Sequence, residues 1–170
     1  MPPVLALFFA LGLSDVRPPG VGEHAPALEL ETLDGRPFPR ARLEGRTTVV
    51  DFFATWCSPC HRALSDLELV EAQLPARARL IVVSVGEDAA TVKRFLAAHA
   101  APLGAEIALD RSRATARAWG QDRFPTTFVV DGGGVIRHIN RGWGGGYAAR
   151  MLRWLRPMVS REAPQAAPRP

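Results

Sequence analysis

The sequence predicts an α/β domain of three layers, a central sheet with helices on both faces. Short β-branched and aromatic runs alternate with segments whose apolar residues recur at helical spacing, and Gly, Pro and Asp mark the junctions between them. One run, "TTVVDFFAT", is apolar on both of its faces apart from a single aspartate, as a central strand covered on both sides would be. At 170 residues, 47% hydrophobic and 22% charged, the chain has the size and composition of one globular domain with a filled core.

Each element follows from its local pattern. "ALELETLDGRPF" places Leu28, Leu30 and Thr32 in alternation with acidic residues, and Asp34-Gly35 supplies turn chemistry, so a partly exposed edge hairpin is expected. A helix should leave the cysteines directly, with Leu64, Leu67, Val70, Ala72 and Leu74 as its apolar stripe and Pro75 as its end. "RLIVVSV" is the next strand, and Asp88 can cap a helix carrying Val92, Phe95, Leu96 and His99. "AEIALD" reads as a short strand, after which Asp110 caps a further helix to Trp119. "TTFVVD", the Gly132-Gly133-Gly134 turn and "VIRHIN" form a closing hairpin, and Met151, Leu152, Trp154 and Leu155 mark a last helix. The glycine-rich "GWGGGY" reads as the turn into that helix, because it lacks the spacing that cradles a pyrophosphate.

The two ends are set apart by composition. Val4 to Leu13 is an uncharged apolar run of signal-peptide size, with no Lys or Arg ahead of it. As a helix it would rise about 15 Å, half of the roughly 30 Å hydrocarbon core. It therefore reads as a signal-like leader or anchor, the alternative being an apolar element packed on the domain. Residues 1–20 are accordingly leader and linker, 21–157 the domain, and 158–170, "REAPQAAPRP" at its end, a disordered tail.

A net charge of +4 raises nucleic acid as a partner, but the arginines are scattered and Lys93 is the only lysine. No basic stripe results, and nucleic-acid binding is not expected.

Chemistry concentrates in "VVDFFATWCSPCHR", which holds both cysteines. At a strand-to-helix junction Cys57 would sit at the helix N-terminus, where free N–H groups and the dipole stabilise a thiolate. Cys60, one turn in, would be the shielded partner. Exchange can then run by attack of Cys57 on a partner disulfide and release by Cys60. Pro59 fits the first turn of a helix, where its missing N–H is not needed. Zinc is disfavoured, since His24, His61, His99 and His138 lack ligand spacing. A purely structural disulfide is disfavoured too, since so small a loop constrains the unfolded chain little. His61 is either an electrostatic influence on the thiolate or a solvated histidine.

"DFFATWCSPC" resembles the active-site segment of the thioredoxin superfamily, and "RFPTTFVVD" resembles its second signature, the proline loop facing the active site. The leading hairpin and the "GEDAATVKRFLAAHAAPLGAEIALD" material resemble the TlpA/ResA group of exported, often membrane-tethered thiol-disulfide reductases. That resemblance implies a thioredoxin-like fold with an N-terminal β-hairpin and a central strand-helix insertion. It makes Cys57 the nucleophile and Cys60 the resolving cysteine of a redox-active disulfide. It implies a cis peptide at Phe124-Pro125, Trp56 covering the disulfide, and Phe124, Pro125 and Thr126 as substrate-binding positions, with Phe124 pairing to a substrate strand.

Asp51 is the informative side chain of the strand. A carboxylate buried on both faces is costly unless paired or protonated, so its pKa should rise; the other reading is an edge residue bonded to backbone. In thioredoxins the equivalent aspartate is the base that deprotonates the resolving cysteine. Cytochrome c maturation reductants instead tend to carry asparagine there and glutamate three positions after the second cysteine. Ala63 stands at that second place, which points to a less selective reductase.

The expectation is a thiol-disulfide oxidoreductase that reduces protein disulfides without a cofactor. Its partners would be disulfide-bearing proteins and an upstream thiol electron donor. It would be monomeric and exported to the periplasm or tethered to a membrane facing it, with a cytoplasmic location as the alternative. The rival function is a copper-binding redox metallochaperone on the same fold.

Overall fold

The computed structural model describes residues 17–38, 43–74, 78–99 and 105–161. Six strands form one mixed sheet in the order β1-β4-β3-β2-β5-β6. They are β1 (Glu31–Thr32), β2 (Thr47–Phe53), β3 (Ala78–Val85), β4 (Glu106–Asp110), β5 (Thr126–Val130) and β6 (Ile136–Arg141). β2, β3 and β4 run parallel, while β1, β5 and β6 join by antiparallel pairing. The helices are α1 (Ser58–Glu71), α2 (Ala89–Ala98), α3 (Ala114–Ala118) and α4 (Tyr147–Arg161).

Strand pleat sorts the core into two layers. Val49 and Phe53 of β2 point toward α1, α2 and α4, where Leu64, Leu67, Val70, Val92, Phe95, Met151 and Leu155 meet them. Val50 and Phe52 point the other way, onto Leu28, Leu30, Phe38 and α3 with Ala116 and Trp119. The three-layer expectation holds, and all seven residues of β2 are buried. Phe52, Trp119 and Phe128 meet one another edge-on or tilted at 5.0–5.8 Å, filling the second layer.

Local signals are recovered with some differences. The leading hairpin closes through Thr32 N–H to Arg36 O and Phe38 N–H to Leu30 O, around Asp34-Gly35. Asp88 caps α2 by accepting from Thr91 N–H at 2.7 Å. α1 ends at Glu71, so Ala72 is an exposed C-cap and not part of the stripe, which is Cys60, Ala63, Leu64, Leu67 and Val70. Pro75 lies outside the described residues.

Asp110 does not occupy the cap position of α3. Arg113 does, with left-handed backbone and no side-chain cap bond. The Asp110 carboxylate, buried at the end of β4, reaches forward instead and accepts from Ala116 N–H at 2.7 Å, satisfying a free donor of the first turn. α4 runs through Pro157 to Arg161, past the expected domain end. Pro157 stands on the exposed side, and Met158 still packs against the core, which holds the helix in register across the missing N–H. Residues 1–16 and 162–170, on which most of the leader and tail expectations fall, lie outside the described residues.

Asp110→Ala leaves the first turn of α3 without its acceptor. The expected cost is about 1–2 kcal/mol, read as a lower urea midpoint with an unchanged slope.

Candidate active site

β2 ends at Phe53 and the chain turns through Ala54, Thr55 and Trp56 into α1. Cys57 is the N-cap of that helix: its backbone is extended, its carbonyl accepts from Cys60 N–H at 2.9 Å, and its sulfur accepts from the same N–H at 3.2 Å. Pro59 stands in the first turn, as expected. Cys57 and Cys60 form a disulfide with their Cα atoms 5.2 Å apart. Once the bond is reduced, the Cys60 N–H and the helix dipole favour the Cys57 thiolate.

Cys60 is shielded, as expected, but Cys57 is less open than expected. Cys57 is 5% exposed and Cys60 0%, so the attacking sulfur lies at the rim of the core and not out in solvent. Trp56 is instead the exposed residue, at 68%. Its ring meets Phe124 edge-on at 5.4 Å, beside the cis-proline loop.

Phe124 and Pro125 are joined by a cis peptide, as the resemblance implied. No backbone hydrogen bond ties Phe124 to the rest of the described chain. Pro125 O, in contrast, accepts from Gly142 N–H at 2.7 Å. Thr126 is fully buried, and its hydroxyl donates to Arg123 O at 2.7 Å. That side chain braces the loop from inside, while Phe124 is half-buried against the core and Trp56 is the exposed side chain beside it.

Asp51 sits on the face of β2 that turns toward α1 and α4, alternating with Val49 and Phe53. It is 0% exposed. Oδ1 accepts from Thr127 Oγ1 at 2.7 Å and lies 3.4 Å from Tyr147 Oη; Oδ2 has no partner among the described residues. The partners are side chains, which removes the edge-and-backbone reading. Burial drives the carboxyl up from its ordinary 3.8 to about 7, against the opposing pull of Thr127 and Tyr147.

Glu87 was not foreseen at this turn. Glu87 follows Gly86, whose φ of 76° turns the chain at the end of β3. Its carboxylate accepts from Thr55 N–H at 3.0 Å, Thr55 Oγ1 at 2.5 Å and Ser84 Oγ at 2.7 Å, fastening the loop before Cys57. Thr55 O in turn accepts from His61 Nε2 at 2.7 Å, so that nitrogen carries hydrogen. His61 is half-buried and packs on Phe95 and His99 at 4.9 and 5.0 Å, so it is not a solvated surface histidine. Nothing in the spacing of His61 and His99 announces this meeting; it comes from α1 and α2 lying side by side. Among the described residues no group of three or more His, Cys, Asp or Glu is placed to hold a metal ion.

A closed two-cysteine pair at a helix start, a cis-proline loop and a buried carboxylate on a mixed six-stranded sheet define a thiol-disulfide oxidoreductase of thioredoxin-like fold. Comparison with known proteins agrees. The chain belongs to the AhpC/TSA family, whose model matches residues 21–139. It is 32% identical over 123 residues to thiol-disulfide oxidoreductase ResA of Geobacillus thermodenitrificans, covering 72% of this chain and 70% of that one. It is 31% identical over 124 residues to the thiol:disulfide interchange protein DsbE homolog of Paracoccus denitrificans, covering 72% and 66%. Among solved structures, a thiol:disulfide interchange protein of the thioredoxin family from Chlorobium tepidum superposes with a TM-score of 0.67 at 25% identity, over 86% of this chain and 99% of that one. The protein acts by dithiol-disulfide exchange through Cys57 and Cys60, with protein disulfides and thiols as its partners.

Burial of Asp51 has a consequence for stability. Between about pH 4 and about pH 7 the folded protein keeps a proton that the unfolded chain gives up, so stability falls as pH rises through that window and levels off above it. The fall amounts to on the order of 4 kcal/mol. Asp51→Asn should remove it. Urea denaturation across this range should therefore show the variant gaining on the native protein by a few kcal/mol at pH 8 relative to pH 4.

Proposed function

We propose that the protein is a reductase of protein disulfides, exported and monomeric, with Cys57 as nucleophile, Cys60 as resolving thiol and Asp51 as the base that serves Cys60. The observation that carries this reading is the carboxylate of Asp51, buried in the same layer as the cysteine pair and titrating near neutrality. A base of that strength can take a thiol proton at the pH where the protein works.

The cycle begins with the dithiol. Cys57 thiolate attacks one sulfur of a partner disulfide, the partner S–S bond breaks, and its other sulfur leaves as a thiolate that is then protonated. Cys60 gives its proton to Asp51 and attacks Cys57 Sγ. The mixed disulfide breaks, its electron pair goes to the second partner sulfur, and the Cys57–Cys60 bond closes. An upstream dithiol reverses the closure. Two electrons and two protons have then moved to the partner.

Trp56 and Phe124 suit the docking of a partner chain: the exposed Trp56 ring stands edge-on against the half-buried Phe124, and the free peptide groups of Phe124 can pair with an extended segment. Export rests on the apolar run Val4 to Leu13, and mass spectrometry of the mature N-terminus tests it. Among the described residues no helix is long and apolar enough to cross a membrane, and that run is the segment proposed as a tether.

Cys60→Ser should accumulate a mixed disulfide with insulin through Cys57, and Cys57→Ser should accumulate none. The reduction potential, equilibrated against glutathione, is expected nearer the thioredoxin value of about −270 mV than the roughly −120 mV of a strong oxidant. A potential at the oxidising end would reverse the assigned direction.

A further inference from the structure

The buried carboxylate has two oxygens in different situations. Oδ1 is held by Thr127 Oγ1 at 2.7 Å, and Thr127 Oγ1 is itself 2.6 Å from Tyr147 Oη. Oδ2 has no partner. Asp51, Thr127 and Tyr147 are all fully buried. Hydrogen counting fixes the directions. Each hydroxyl has one hydrogen. When Asp51 is ionised it can only accept, so Thr127 gives its hydrogen to Oδ1. Tyr147 must then donate, to Thr127 Oγ1 and more weakly, at 3.4 Å, to Oδ1.

We propose that Tyr147 and Thr127 are positioning residues for the exchange reaction: a two-hydroxyl donor chain that reserves Oδ1 of Asp51 as a permanent acceptor and leaves Oδ2 as the oxygen that takes and returns the proton. The proposal deepens the assignment of Asp51 as base to Cys60 and rests on it.

Chemistry and placement agree. A carboxylic acid keeps its proton on one oxygen, and the oxygen already accepting a hydrogen bond is the poorer site for it. The proton taken from Cys60 is therefore carried on Oδ2. Tyr147 opens α4, where its ring is packed in the same layer as Cys60. Its phenol is held well above its ordinary range by burial and by Asp51, so it remains a donor throughout the working pH range. The charged and titratable groups around the chain are Asp51 from β2, Asp66 and the Cys60 thiol from α1, and Arg150 from α4, whose guanidinium lies 5.9 Å from the Tyr147 ring centre. β5 contributes only the neutral Thr127. None of these other groups makes a hydrogen bond to Asp51 in place of the two hydroxyls.

The test compares Tyr147→Phe, Thr127→Val, Thr127→Ser and Asp51→Asn in the reduced full-length protein. Two readouts are needed: the titration of the Asp51 carboxyl carbon by NMR, and the pH profile of insulin reduction. Loss of a donor to the charged form should move the Asp51 midpoint, and the rising limb of the profile, upward by roughly half to one pH unit in Tyr147→Phe. Thr127→Val should shift both at least as far, and Thr127→Ser should restore the native values. Asp51→Asn should remove the limb. If the NMR midpoint stays in place in both Tyr147→Phe and Thr127→Val, the donor chain is wrong, whatever the rate does. If the midpoint moves in these variants but Asp51→Asn leaves the limb intact, the donor chain holds and the assignment of Asp51 as base, with the role of Oδ2, is overturned. Thermal melts of each variant separate a loss of fold from a shift in titration.

Discussion

A strand covered by helices on both faces offers no water to a carboxylate, and the active centre is organised around that constraint. β2 is the strand concerned. Its seven residues are all buried, and six of them repay this with apolar contacts or ladder-side packing. Asp51 cannot. Its ionisation is opposed by the same burial that makes β2 the axis of the sheet, so the fold holds it near the boundary between acid and base. A residue that would weaken an ordinary core strand is thereby placed in the layer that holds the cysteine pair.

The end of the same strand sets the rest of the site. Because β2 is central, the chain leaving it must pass over the edge of the sheet and return as a helix, and the cysteines fall at the point of return. Cys57 N–H donates to Ala54 O at 3.1 Å, closing the turn. The turn is then held from below by Glu87 at the end of the neighbouring β3 and from the side by His61 of α1, both acting on Thr55. β5, the neighbour on the other side, delivers the cis-proline loop against it. Parallel and antiparallel neighbours of one strand thus supply opposite walls of one site.

Much of this was legible in the sequence because it depends on local chemistry. The alternation of strands and helices, the Asp88 cap, the placement of Pro59 and the raised Asp51 each follow from residue type and spacing. What escaped was either long-range or a matter of reach. Thr127 and Tyr147 are remote from Asp51 in the chain, and they meet it only because β5 lies opposite β2 in register and α4 packs over both. A signal existed: Tyr147, Met151 and Leu155 share one helical face, but such a stripe marks packing and says nothing of the hydroxyl's partner. Asp110 was seen as a cap but not as one acting from the end of β4, since a side chain's reach across a left-handed residue is not encoded in spacing.

The low exposure of Cys57 fits the exchange chemistry once protons are counted together with electrons. In the disulfide form neither sulfur carries charge, and apolar surroundings cost nothing. Reduction brings a thiolate at Cys57 into the layer that holds Asp51, and two negative charges there oppose each other through a poorly screening interior. The helix start relieves the first and burial protonates the second, so the reduced state is stabilised by taking up a proton. Return to the disulfide releases it. The buried carboxylate therefore ties the redox equilibrium of the pair to pH through the repulsion between the two charges: a Cys57 thiolate raises the affinity of Asp51 for its proton, and by linkage uptake of that proton favours the dithiol.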